Sequence, residues 1–195
     1  MNSLPEIAVV EKSERDRAIN TIVLSFATDP IARWVWPDGS SYLKAMPRFT
    51  AAFGGGAIEH GTAFSAGGGK AAALWLPPGT GPDEAAMEKV LEETLRPEIA
   101  EDMAGVLEGM AEFHPHEPHW YLPMIGCDPH WIGKGFGAAL MKHALEKCDE
   151  DGLPAYLESS NSRNISLYQR HGFEIIGEIQ SGASPVLTPM LRQAR

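Results

Sequence analysis

The sequence predicts a single α/β domain over residues 1–195, built on a mixed and mostly antiparallel sheet. Three observations point there. Residues 62–76 and 173–191 each read as a pair of strands, and residues 120–158 read as strand, helix, strand. The composition agrees, since 44% hydrophobic and 22% charged residues suit a packed core and exclude a largely disordered chain. The formal net charge of −10 argues against nucleic acid as a partner, because phosphate binding needs a basic face. It is compatible with an amine ligand, or with nothing more than a solvated acidic surface.

Taken in order, Met1 to Glu6 show no charged-then-apolar leader, and Ile7–Val10 reads as a first strand. Ser13 resembles an N-cap for a helix with apolar positions Ala18, Ile19, Ile22, Val23 and Phe26, which Asp29-Pro30 would end. Residues 31–40, rich in tryptophan and turn formers, predict a loop that is either packed on the core or facing a substrate. A helix follows from about Tyr42 to His60, with Gly54-Gly55-Gly56 marking a kink or a close packing point. Thr62–Ala66 and Ala71–Leu76 form a hairpin turned at Gly67-Gly68-Gly69-Lys70; no helix follows this glycine run, so it carries little sign of phosphate binding.

An acidic helical region spans Asp83 to Phe113, broken near Arg96-Pro97. In His114-Pro-His-Glu-Pro-His119 two prolines extend the chain and no helical His pair or Cys partner is present, so a polar loop is expected rather than a metal site. Trp120–Cys127 is the next strand. The helix from Phe136 to about Asp149 shows a stripe of Phe136, Ala139, Leu140, His143, Ala144 and Lys147, with His143 packed or at the rim. Gly152 ends it and Pro154–Glu158 completes the βαβ unit. Asn161 or Ser162 caps a short helix to His171, and Phe173–Ile179 with Val186–Leu191 closes the sheet as an antiparallel hairpin. Cys127 and Cys148 have neither pairing nor metal spacing, and no apolar run could span a bilayer, so a cytoplasmic protein with reduced thiols is expected.

The strongest functional signal is Gly133, Gly135 and Gly137 between a strand and a helix start. That layout aims several backbone N–H groups at one anion. A Walker loop is excluded, because six residues separate Gly126 from Gly133-Lys134 and Gly135 stands where Ser or Thr is required. Gly133 to Ala138 does contain G-x-G-x-x-A, with Glu158 twenty residues beyond, which keeps an NAD(P)-binding oxidoreductase as an alternative. Against it, Asp128–Ile132 separate the strand from the glycines, and there is room for little more than one βαβ unit.

Ile132-Gly-Lys-Gly-Phe-Gly137, led in by Cys127-Asp-Pro-His-Trp131, resembles the acetyl-CoA signature of the GCN5-related N-acetyltransferase (GNAT) family. Asn161-Ser-Arg-Asn164-Ile-Ser-Leu167-Tyr168-Gln-Arg-His-Gly172-Phe173 resembles that family's N-x-x-A-x-x-L-Y-x-x-x-G-F block. The resemblance covers residues 117–177, and the run from His119 through Pro154–Ser160 to Tyr168 looks most like the puromycin N-acetyltransferase group, with weaker echoes at Phe26–Trp36 and Trp75–Gly79. Ile132 departs from the pattern, since the family carries Gln or Arg there.

The resemblance implies a sheet split beside an acetyl-CoA strand, with residues 1–118 as the substrate-side half and 119–195 as the cofactor half. It implies direct transfer of acetyl from acetyl-CoA to a primary amine of a small molecule, without metal and without an acyl-Cys127. The loop of Ile132, Gly133, Lys134, Gly135, Phe136, Gly137 and Ala138 would hold the pyrophosphate, mainly through backbone N–H groups; Lys134 either adds charge or is solvated. Ile125, Gly126 and Cys127 would lie along the pantetheine arm and polarise the thioester, with Asn164 and Leu167 flanking it. Tyr168 falls at the position of the general acid, the alternative being a packed tyrosine. Glu158 is either the general base or a solvent-facing strand end. Trp34, Trp36, Phe53 and Trp75 are candidate walls for the amine. A CoA-binding domain without catalysis is a further alternative, and a monomer or a homodimer would fit.

Overall fold

The apolar runs become the strands of one seven-stranded sheet in a computed structural model that describes residues 5–195. The leader reading of Met1 to Leu4 lies outside the described residues. The strands are β1 Ile7–Val9, β2 Ala63–Ala66, β3 Ala71–Leu76, β4 Trp120–Cys127, β5 Ala155–Ser159, β6 Glu174–Ile175 and β7 Thr188–Arg192, in the spatial order β1-β2-β3-β4-β5-β7-β6. Every neighbouring pair is antiparallel except β4 and β5. This is the mixed α/β sheet that the hairpin and βαβ patterns predict.

Helices cover both faces. On one lie α1 Arg15–Ser25, α2 Pro30–Val35, α3 Gly39–Phe53 and α4 Gly56–Glu59, with α5 Glu84–Thr94 and α6 Ala100–Phe113 at its side. On the other lie α7 Phe136–Glu150 and α8 Ile165–Arg170. Strand alternation sorts β3 between them: Ala72, Leu74 and Leu76 join the first core, Ala71, Ala73 and Trp75 the second. No described helix is long and apolar enough to cross a membrane.

Several local expectations need correcting. Ser13 caps nothing: a 3-10 turn at Lys12–Glu14 precedes α1, which begins at Arg15 without a side-chain cap. The first helix stops at Ser25. Asp29-Pro30 starts a helix rather than ending one, because the Asp29 carboxylate accepts from Ile31 and Ala32 N–H and Pro30 occupies the first turn. Residues 31–40 are therefore helical to Val35 instead of a loop, and Asp38 caps α3, which starts at Gly39, three residues ahead of the predicted Tyr42. The glycine run ends α3, and a Cβ at Gly54 would lie 2.8 Å from Leu74 and 3.4 Å from Pro123, so it is also a close packing point.

The buried stripe of α7 is Leu140, Met141, Ala144, Leu145 and Cys148, leaving His143 and Lys147 exposed. His143 stands edge-on to Phe64 at 4.7 Å, and Lys147 pairs with Asp151. The closing strand β6 is only two residues long, and beyond it Gly177 lies against the Phe113 ring of α6, where a Cβ would sit 2.3 Å from it. β7 inserts between β5 and β6, held to α7 by the bidentate Arg192–Asp149 pair at 2.8 Å.

Candidate active site

β4 and β5 run side by side only at Trp120↔Ala155 and Tyr121↔Tyr156, and then separate. The cause is local. Pro123 has no N–H to offer a neighbour, and the β3–β4 register shifts between Leu74↔Met124 and Leu76↔Tyr121, which places one extra residue in β4. That bulge reverses which backbone groups face which way. Trp120 N–H donates across to Pro154 on the β5 side, but Asp128 N–H donates to Lys70 on the β3 side. Alternation then turns Met124 and Gly126 N–H toward β3 and leaves those of Ile125 and Cys127 facing the opened edge.

Gly126 serves packing: a Cβ there would stand 2.6 Å from the Cβ of Ser25, so its absence lets α1 lie on β4. Burial and the neighbouring Asp128 push the Cys127 thiol up, the wrong direction for a nucleophile.

Beyond β4, Asp128 caps a 3-10 turn at Pro129–Trp131 by accepting from His130 N–H. Gly133 and Gly135 follow at φ +78° and +84°, with no heavy atom within 4 Å of where a Cβ would stand. Only glycine holds that conformation without strain. Gly135 is the N-cap of α7, so the first-turn N–H groups of Phe136, Gly137 and Ala138 have no partner within the helix and point outward. Ile132 is 67% exposed, with its side chain turned to solvent. Gly137 faces Leu167 of α8 at 3.5 Å, which joins the two sequence motifs in space.

The hairpin turn at 67–70 reaches the same loop. A Cβ on Gly67 would meet Phe136 at 2.4 Å, and the Lys70 Nζ stands 4.0 Å from the Trp131 ring centroid, with Lys134 at 4.4 Å from it. Neither lysine has a carboxylate partner among the described residues, so two cations flank the helix start in an acidic protein.

The split opens into a cavity, partly open to solvent, running between the sheet and α3, α5 and α6. Leu122 to Ile125 and Leu157 line it at the split, with Asn164 and Tyr168 from the α8 side. Asn161 starts that segment by accepting from Arg163 N–H, and Asn164 and Tyr168 share one face. Tyr168 is 6% exposed, stands edge-on to Phe173, and burial, followed by the charge of Asp29, pushes its phenol up. It is therefore a protonated group throughout the neutral range.

Glu158 lies opposite a stacked pair of tyrosines. Its Oε2 accepts from the Tyr121 hydroxyl at 2.8 Å, while Oε1 is sealed from solvent without a partner. The Tyr156 hydroxyl is near enough to favour the charged carboxylate but misses hydrogen-bond geometry. Burial dominates, and the carboxyl is pushed up to about 7. Above the tyrosines, His114 packs edge-on to both, at 4.9 and 5.1 Å; burial pushes its imidazole down to about 4, so it is neutral. Its Nε2 faces that of His119 at 3.1 Å.

Of the four aromatic residues expected at the amine wall, two are there. Trp36, Phe49, Phe53 and Tyr121 form a continuous chain of aromatic contacts, ring centroids 5.3–6.0 Å apart, leading to Glu158. Trp34 lies behind it, its carbonyl accepting from Arg96, and does not line the cavity. Trp75 is wholly buried on the opposite face of the sheet with α7, because its place in β3 alternates away from Leu74. Asp29 is a site residue that the sequence conceals: it is 6% exposed, lines the cavity, accepts from the Ser160 hydroxyl at 2.6 Å, and burial pushes its carboxyl up. Asp directly before Pro, followed by an apolar run, was the available sign of a cap.

Known proteins share this fold. An uncharacterized N-acetyltransferase of Schizosaccharomyces pombe is 27% identical over 180 residues, which span 84% of this chain and 72% of that protein. The fold matches the crystal structure of histone acetyltransferase HPA2 and related acetyltransferase from Corynebacterium glutamicum with a TM-score of 0.68, at 22% identity over 99% of this chain and 98% of that one. It matches arylalkylamine N-acetyltransferase 2 from Aedes aegypti with a TM-score of 0.67, at 13% identity over 98% and 99%. Nothing in the fold or in these likenesses supports the oxidoreductase alternative. The model of the acetyltransferase (GNAT) family matches residues 75–173, from the buried strand β3 through the glycine loop to the end of the Tyr168 motif, and the chain belongs to that family of N-acetyltransferases.

Proposed function

We propose that the protein moves acetyl from acetyl-CoA directly to the primary amine of a small molecule. The observation that carries this is the split between β4 and β5, which brings a free backbone edge, a raised carboxylate and a protonated phenol onto one cavity. Acetyl-CoA supplies the activated acyl group; the chain supplies position and protons.

The α7 N-terminus and the glycine loop hold the pyrophosphate through backbone N–H groups, which makes Ile132 compatible with binding. Lys70 and Lys134 add charge at its edge. The free Ile125 and Cys127 N–H groups pair with the pantetheine arm as an added strand and polarise the thioester carbonyl, stabilising the oxyanion that develops when the amine attacks. Glu158, at about 7, takes the proton from the ammonium group at neutral pH, and Tyr121 holds it in place. Tyr168 donates its proton to the departing thiolate and is restored by the proton that the nitrogen sheds as the amide forms.

The likeness of residues 119–168 to the puromycin N-acetyltransferase group supports a small-molecule substrate, and two free cysteines are consistent with a cytoplasmic setting. Calorimetric titration with acetyl-CoA and with NADH, followed by thiol release from acetyl-CoA over an amine panel, tests the proposal. Binding and amine-dependent thiol release are expected. Acetyl-CoA binding without thiol release would favour the non-catalytic alternative.

A further inference from the structure

The cavity beyond the split has an uneven chemistry. Of the described residues that line it, only two carry charged side chains, Asp29 and Glu158, and both belong to the β5 end, since Ser160, two residues past Glu158, bonds Asp29. Asp29 is already saturated: one oxygen accepts from Ile31 and Ala32 N–H, the other from Ser160. Glu158 keeps one oxygen without a hydrogen-bond partner, so of the two lining carboxylates it is the one with capacity left for a ligand donor. The walls from α3, α5 and α6 present Phe49, Phe53, Met87, Met103 and Met110, and offer no cation and no further carboxylate.

We infer that the amine accepted here is a monoamine on an uncharged apolar body, an aralkylamine or alkylamine, and that a second charge on the substrate is what the pocket rejects. This rests on the acetyl-transfer proposal above. The amine is drawn to the Glu158 carboxyl at the cavity wall, and the body lies on the aromatic and methionine walls. Thioether side chains are flexible and polarisable, so they accept several apolar shapes without building a pocket for one. A second ammonium group has no carboxylate to pair with among those walls. A carboxylate next to the amine meets no cation and lies against Glu158 and Asp29. Either leaves a buried charge uncompensated.

The test uses matched pairs that differ by one charge: butylamine against 1,4-diaminobutane, and phenethylamine against phenylalanine, with kcat/KM read from thiol release. The singly charged amine is expected to win each pair by at least about a hundredfold. Met110→Glu adds a carboxylate to the α6 wall and is expected to raise 1,4-diaminobutane relative to butylamine about tenfold, whereas Met110→Gln leaves the ratio in place. If the wild-type enzyme turns over the diamine or the amino acid as well as its partner, this inference fails and acetyl transfer stands. If no amine in the set releases thiol while acetyl-CoA binds, the acetyl-transfer proposal fails and takes this one with it.

Discussion

Replacing Glu158 by Gln should inactivate the protein and stabilise it at the same time. In the folded chain the carboxyl is held up to about 7 from an ordinary 4.5, because burial outweighs the hydrogen bond from Tyr121. Between those two values the folded state binds more protons than the unfolded state. Stability contributed by the neutral carboxyl is therefore complete below about 4.5 and is lost as pH rises through about 7. At about 1.4 kcal/mol for each tenfold change in proton affinity, the loss amounts to at most about 3 kcal/mol.

Glu158→Gln keeps the shape and has no proton to lose. Urea denaturation of both proteins at pH 5, 6, 7 and 8 should show a stability difference that grows in favour of the variant by up to about 3 kcal/mol, other titrating groups cancelling in the comparison. Over the same range wild-type kcat/KM should rise with pH and level off above about 7, because a base works only when deprotonated. The variant should lose about 10²–10⁴-fold and have no such limb. A pH-independent stability difference, or an acidic limb that survives in Glu158→Gln, would refute the assignment of Glu158 as a buried base.

Three more outcomes are expected. Tyr168→Phe should lower kcat by about 10²-fold while leaving the Kd for acetyl-CoA within about twofold, since the phenol acts on the leaving thiolate; unchanged turnover at every pH would remove it from catalysis. Gly135→Ala meets no neighbouring atom, so its cost should be a backbone one of about 1 kcal/mol in denaturation, together with roughly tenfold weaker acetyl-CoA binding by calorimetry; unaltered binding would place the phosphate elsewhere. Lys70→Ala should weaken acetyl-CoA binding several-fold at low salt and progressively less as salt rises, and a salt-independent effect would mean that Lys70 only supports Trp131.

Most of the secondary structure could be read from the chain because it depends on local pattern. Two short runs joined by the Gly67–Lys70 turn marked β2 and β3, the glycine-then-helix layout marked the loop and α7, and Gly152 and Gly172 marked helix ends. Misreadings fell where two local rules compete. Asp29-Pro30 serves equally to stop a helix and to start one, and only the hydrogen bonds to Ile31 and Ala32 decide. On α7 the expected stripe included His143 and Lys147 and left out Met141, Leu145 and Cys148, which offered an equally good face and are the buried ones.

By itself the sequence determined the mixed sheet, the glycine loop at the start of α7, and the short list of residues able to carry acid–base chemistry, since all three depend on residue type and spacing along the chain. Only the tertiary structure decided which of those residues meet. It removed Trp34 and Trp75 from the cavity wall, brought Asp29 and Lys70 to the site from distant segments, and set Glu158 in a dry environment beneath two tyrosines. The reason is physical. A pattern along the chain specifies which face of a strand or helix is apolar, but a carboxyl group's proton affinity and a backbone edge's freedom depend on what packs against them across the sheet.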